Sequence, residues 1–125
     1  MKKLKTILAL GLILFTTEIF CQYIPDSYQV LLNEIVKHFE TIRTGNTVND
    51  GKNSLRVINE NRIVFRLDHK KKVKNLTFIT EPDEENKLQW VPGNQLTIDM
   101  VNKYESFVTK NLESMHKLSE KKSKE

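Results

Sequence analysis

A single cysteine, Cys21, stands among 125 residues. One thiol excludes an internal disulfide, so the fold must rest on an apolar core. Glycine occurs 4 times and proline 3 times. No glycine-rich loop is present to cradle a phosphate, and no serine is framed by glycines as an activated nucleophile would be. The 3 histidines, His38, His69 and His116, show no ligand-like spacing, whereas a metal site needs converging ligands at characteristic intervals. That pattern predicts solvated histidines, with a place for His38 at a helix–sheet edge as the alternative, no metal and no cofactor. Carboxylate pairs for glycoside hydrolysis are available only from scattered Glu60, Asp68 and Glu81, or from Asp83, Glu84 and Glu85 in a turn-rich connector where acids are ordinary solubilising groups. The expectation is that the protein is not an enzyme.

Long apolar runs are also scarce. The main one, Thr6 to Phe15, follows the basic MKKLK and is broken by Glu18. A membrane span needs roughly 20 apolar residues, so this run has the length of a signal-peptide core instead. The pattern predicts a signal peptide over residues 1–21 and a mature chain opening at Gln22, with a cut after Thr17 or an uncleaved N-terminal anchor as the alternatives. A lipobox wants small residues ahead of its cysteine; Glu18, Ile19 and Phe20 stand there, which argues against lipidation of Cys21. Neither sign of charge dominates. The net charge of +4 falls to about +2 once the three lysines and one glutamate of the leader are removed, leaving 17 basic and 15 acidic residues. No global field favours nucleic acid.

What is present is local pattern. From Tyr28, the apolar positions Leu31, Leu32, Ile35, Val36, Phe39 and Ile42 recur at intervals of three and four, predicting an amphipathic helix. Asp26 or Ser27 is placed to cap it, and Gly45 to stop it. Thr44 to Ser54 is almost wholly polar and predicts a solvated loop; Asn49-Asp50-Gly51 has too few carboxylates for a calcium loop. Three strands follow: Leu55–Ile58, Arg62–Asp68 and Val73–Ile79. In the second, Ile63, Phe65 and Leu67 share one face and Arg62, Val64 and Arg66 the other. Val73 is out of phase with Leu76 and Phe78, which predicts a bulge or a turn boundary near Lys74. Leu88–Val91 offers a short fourth strand, ended by Pro92-Gly93. Asn94 to Thr97 carries helix-start chemistry, and the helix after it presents Val101, Tyr104, Val108, Leu112 and Met115 as one stripe, fraying after Leu118. Residues 22–118 therefore predict a single α+β domain, a small antiparallel three- to four-stranded meander with two amphipathic helices packed on one face (α-β-β-β-(β)-α). Residues 119–125 predict a disordered charged tail.

The sharpest chemical feature is basic. Arg66, His69, Lys70, Lys71, Lys72 and Lys74 crowd around the second hairpin, and Arg62 shares the solvent-facing phase of Arg66. Such a turn suits a protein partner or an anionic envelope component. Trp90, the single tryptophan, is a further candidate anchor, or else a lid on the end of the core. Asn75-Leu76-Thr77 matches a glycosylation sequon in mid-strand.

Phe65 to Asp68, Lys72-Val73 and Leu76 to Phe78 resemble the Phe-x-x-Asp-x-x-Gly-Lys-Val-x-x-Leu hairpin of many exported bacterial β-rich accessory domains. Lys71 stands where that pattern prefers glycine. The resemblance implies strand–turn–strand grammar and carries no functional residue with it. Export, size and the missing catalytic constellation together predict a non-enzymatic periplasmic or secreted binding or accessory protein. The alternatives are an inhibitor or immunity-like protein that binds a secreted enzyme or toxin, and a small-ligand carrier.

Overall fold

Pro25 has no amide hydrogen to leave unsatisfied, and helix α1 (Asp26–Thr41) begins directly after it. Neither Asp26 nor Ser27 caps this start as expected; Asp26 lies inside the first turn, where its carboxylate meets the positive end of the helix. The computed structural model describes residues 24–42 and 45–125, and the predicted leader with Cys21 lies outside the described residues. Among the described residues, no helix is long and apolar enough to cross a membrane. The helix ends at Thr41, and Ile42 turns extended, so the stop comes before Gly45.

Five strands follow: β1 (Thr47–Asn49), β2 (Ser54–Asn59), β3 (Arg62–His69), β4 (Lys72–Pro82) and β5 (Leu88–Pro92). They form one antiparallel sheet in sequence order. Helices α2 (Gln95–Lys103) and α3 (Glu105–Ser123) complete the chain. The α+β class and antiparallel meander are as expected, but the sheet has five strands rather than three or four. The extra strand comes out of the polar segment predicted as a loop. Val48, its one apolar residue, is fully buried opposite Leu55. Asp50 then accepts the backbone N–H groups of Asn53 and Lys52 at 2.7 and 2.9 Å, which hold its carboxyl below the usual range. Buried Asn53 reaches Asn111 on α3 at 2.8 Å and accepts the Asp68 N–H at 2.8 Å.

The inner face of the sheet is the apolar row expected from β3. Ile63, Phe65 and Leu67 meet Leu55, Leu76 and Phe78, and all are fully buried. Leu32, Ile35 and Phe39 of α1 and Val108, Leu112 and Met115 of α3 cover them. The bulge is not at Lys74. Pairing of β3 with β4 is unbroken from His69↔Lys72 to Arg62↔Ile79, so Val73 simply faces solvent. The irregularity falls at Ile58 in β2, where the register shifts between Val57 and Asn59.

A glycine contact and a side-chain cap close the sheet onto α2. Gly93 donates its N–H to the Thr77 carbonyl at 2.7 Å, and a Cβ there would lie 2.9 Å from the Thr77 methyl. One residue on, Asn94 caps α2 by accepting both the N–H and the hydroxyl of Thr97, at 2.8 and 2.7 Å. The same Thr97 hydroxyl oxygen accepts the buried Thr77 N–H at 2.7 Å. The predicted single C-terminal helix is interrupted at Tyr104 (φ −132°, ψ 42°), which takes that side chain off the buried stripe and leaves it exposed. Helix α3 also continues to Ser123, past Leu118, and Ser119 is fully buried; most of the tail predicted as disordered is helical.

Helices α1 and α3 run in the same direction. Tyr28 meets Thr109 at 2.8 Å and His38 meets Ser119 at 3.1 Å, both across 81 residues of sequence. Burial of Tyr28 pushes its phenol up to about 12 from 10.0, opposed only in part by the Thr109 hydrogen bond.

Thr97→Val should cost about 1–3 kcal/mol in urea unfolding by stranding the Thr77 N–H, while Thr97→Ser should cost much less. Stability should fall as pH rises through the unfolded tyrosine value near 10 and stop falling near 12, because the unfolded state releases the phenolic proton first. Tyr28→Phe should remove that alkaline decline, about 2–3 kcal/mol at its fullest, in melts recorded from about pH 9 to 12.

Candidate functional site

A two-residue turn joins β3 to β4. Lys70 and Lys71 both have positive φ, 53° and 66°, as a type I′ turn requires. Lys71 thus occupies a left-handed position that glycine would fill without strain, which accounts for its mismatch with the glycine of the resembled hairpin. The tight turn leaves His69 and Lys72 directly paired, and Leu67 opposite Lys74. Paired residues of an antiparallel ladder share a face, so His69, Lys72 and Lys74 lie on the helix-bearing side with Leu67.

Here the sheet outruns the cover provided by the helices, and a recess of about 370 Å³ opens between hairpin and α2. Lys70, Lys72, Lys74 and Lys103 supply cationic groups, with Asp99 the one acid on its wall. Leu96, Met100 and Tyr104 supply apolar surface. His69 is held in place by aromatic neighbours, its ring centroid 4.4 Å from Tyr104 and 4.8 Å from Phe107. Among the described residues, none of the four lysines is in an ion pair. Chemically, the recess offers several ammonium donors around an apolar floor, which suits an anionic group carried on a larger body.

The structure divides the candidate residues between faces. Lys70, Lys72 and Lys74 line the recess, whereas Lys71 stands at the turn outside it. Arg62 and Arg66 project exposed from the opposite, open face of the sheet and do not extend the recess. Trp90 is 2% exposed and belongs to the core, its indole N–H donated to Asn33 at 2.8 Å. As a contact residue it is unavailable; it closes the end of the core. Lys103, which sequence reasoning passed over, joins the site because α2 folds back against β4. Its signal was a lone cation in the last turn of a helix, indistinguishable from a dipole-compensating lysine.

A larger recess of about 610 Å³ lies over the acidic connector, lined by Glu81, Asp83, Glu84 and Glu85. Asp83, its central acid, is occupied in shaping the connector. It accepts the N–H groups of Glu85 and Lys87 at 2.8 and 2.9 Å and so builds its own turn. Between helices and sheet, one continuous apolar cluster from Ile24 to Met115 fills the interior. The histidines also differ from expectation. His38 and His116 are not separate solvated side chains; their ring centroids lie 5.2 Å apart on the α1–α3 seam.

Lys71→Gly should relieve the left-handed strain of about 1–2 kcal/mol at an entropic cost of roughly 0.5–1 kcal/mol. The expected gain is about 0.5–1 kcal/mol in the urea midpoint analysis, with the recess residues left intact. No family model, curated protein or solved structure matches this chain.

Proposed function

We propose that the protein is an exported, non-enzymatic binding module that captures an anionic envelope component in the hairpin recess. The observation that carries this reading is the convergence of Lys70, Lys72, Lys74 and Lys103 around the Leu96, Met100 and Tyr104 floor. Two of these lysines come from one strand and a third from a helix about 30 residues later in sequence, so composition alone does not account for their meeting. Export is supported by the basic and apolar leader pattern. A binding role is supported by a recess whose walls are chiefly ammonium donors and apolar surface, with Asp99 the one acid among them.

Heparin, a sulfated polyanion, is a suitable probe. Replacing Lys72, Lys74 and Lys103 together by alanine should lower the salt needed for elution from heparin resin. A control variant losing Lys52, Lys87 and Lys121 removes the same charge from elsewhere and should shift elution far less. Equal shifts for the two triple variants would reduce the recess to a contribution to net charge and defeat the proposal.

A further inference from the structure

The seam between α1 and α3 carries two half-patterns of the same kind, Glu34 with His38 and His116 with Glu120, each four residues apart and so on one helix face. Parallel alignment of the helices brings the halves together. One donor atom from each of His38, His116 and Glu120 lies within 4.8 Å of the others. Glu34 Oε2 approaches His116 Nε2 to 2.7 Å, yet this buried nitrogen has no aligned hydrogen bond among the described residues.

Ser119 decides the state of His38. Its hydroxyl has one proton and donates it to the His116 carbonyl at 2.7 Å. Toward His38 Nδ1, 3.1 Å away, the oxygen can then only accept. Neutral His38 therefore carries its proton on Nδ1, and Nε2 keeps a free lone pair. An imidazole whose second nitrogen donates to an oxygen is the usual arrangement of a metal-bound histidine.

We propose that His38, His116 and Glu120 bind a zinc ion, with Glu34 drawn in as the fourth ligand. Two imidazoles and carboxylate oxygen form a donor set that zinc accepts and that magnesium and calcium do not favour. Bonds of about 2.0–2.1 Å place tetrahedral ligands roughly 3.3 Å apart, so the widest separation must contract by up to about 1.5 Å. Glu120 can supply most of that movement, being exposed, its carboxylate tied among the described residues only to Lys124 at 3.9 Å. The site lies about three turns along α3 from Tyr104 and does not rest on the lysine recess.

Calorimetric titration of the full chain with zinc chloride tests this, with circular dichroism recorded on each variant. Wild type should take up one equivalent, with no competition from millimolar magnesium. His38→Ala should abolish uptake. Ser119→Ala, which touches no ligand position but frees the His38 ring, should weaken it at least about tenfold. Glu120→Gln serves as the exposed, fold-preserving variant and should weaken it at least as much. Uptake should persist in His69→Ala and Cys21→Ser. Absence of saturable uptake would show the seam to be a histidine–glutamate ion pair only. Uptake unchanged by Glu120→Gln and Ser119→Ala, or lost in His69→Ala or Cys21→Ser, would place the ion elsewhere and overturn the assignment.

Discussion

The side-chain amide of Gln29 does for β5 what a sixth strand would do. It donates to the Trp90 carbonyl at 2.8 Å and accepts the Trp90 N–H at 2.7 Å, satisfying both backbone groups of this central β5 residue. An unpaired edge invites another chain to pair with it, and here the edge is occupied from within the molecule. Asn33, one turn along α1, takes the indole N–H of the same tryptophan. These three hydrogen bonds fix where α1 sits and how it is rotated. Much else depends on that placement: the stripe of Leu32, Ile35 and Phe39 over the core, the direction of α1 relative to α3, and the meeting of His38 with His116.

Parts of this arrangement were legible in the sequence because they are periodic or locally capped. The α1 stripe, the Ile63/Phe65/Leu67 row and the Asn94 cap each declare themselves within a few residues. Features that depend on a single residue did not. Val48 is one apolar side chain in a polar segment and offers no period, yet its burial opposite Leu55 creates a strand. The phase of Val73 implies a bulge or turn boundary near Lys74, because no sequence signal marks a two-residue turn built from lysines. Most such turns announce themselves through asparagine or glycine; Lys70 and Lys71 adopt the same backbone without either. The actual bulge at Ile58 was silent, since an extra exposed residue beside a turn disturbs no alternation.

The basic hairpin was legible as charge but not as shape. In sequence, Arg62, Arg66 and the lysines merge into one patch. On the sheet, alternation sends the arginines to the open face and Lys72 and Lys74 to the helix-bearing one. The apolar floor comes from α2, whose position is set by Gly93 and the shared Thr97 hydroxyl, neither of which carries charge. The histidine pair is the extreme case. Its halves lie near the two ends of the described chain, and only the parallel run of α1 and α3 brings them to one seam.

That parallel run also bears on the order in which the chain can fold. Tyr28 and His38 find their partners 81 residues downstream, after every strand has been laid. A meander alone folds through short hairpin loops, whereas the α1–α3 seam is a long-range closure with a larger entropic cost. Until α3 is in place, the apolar stripe of α1 lacks the cover that Val108, Leu112 and Met115 provide. Helix α3 therefore locks α1 down, and a chain halted at the end of β5 would hold all five strands of the sheet beneath an unfinished roof.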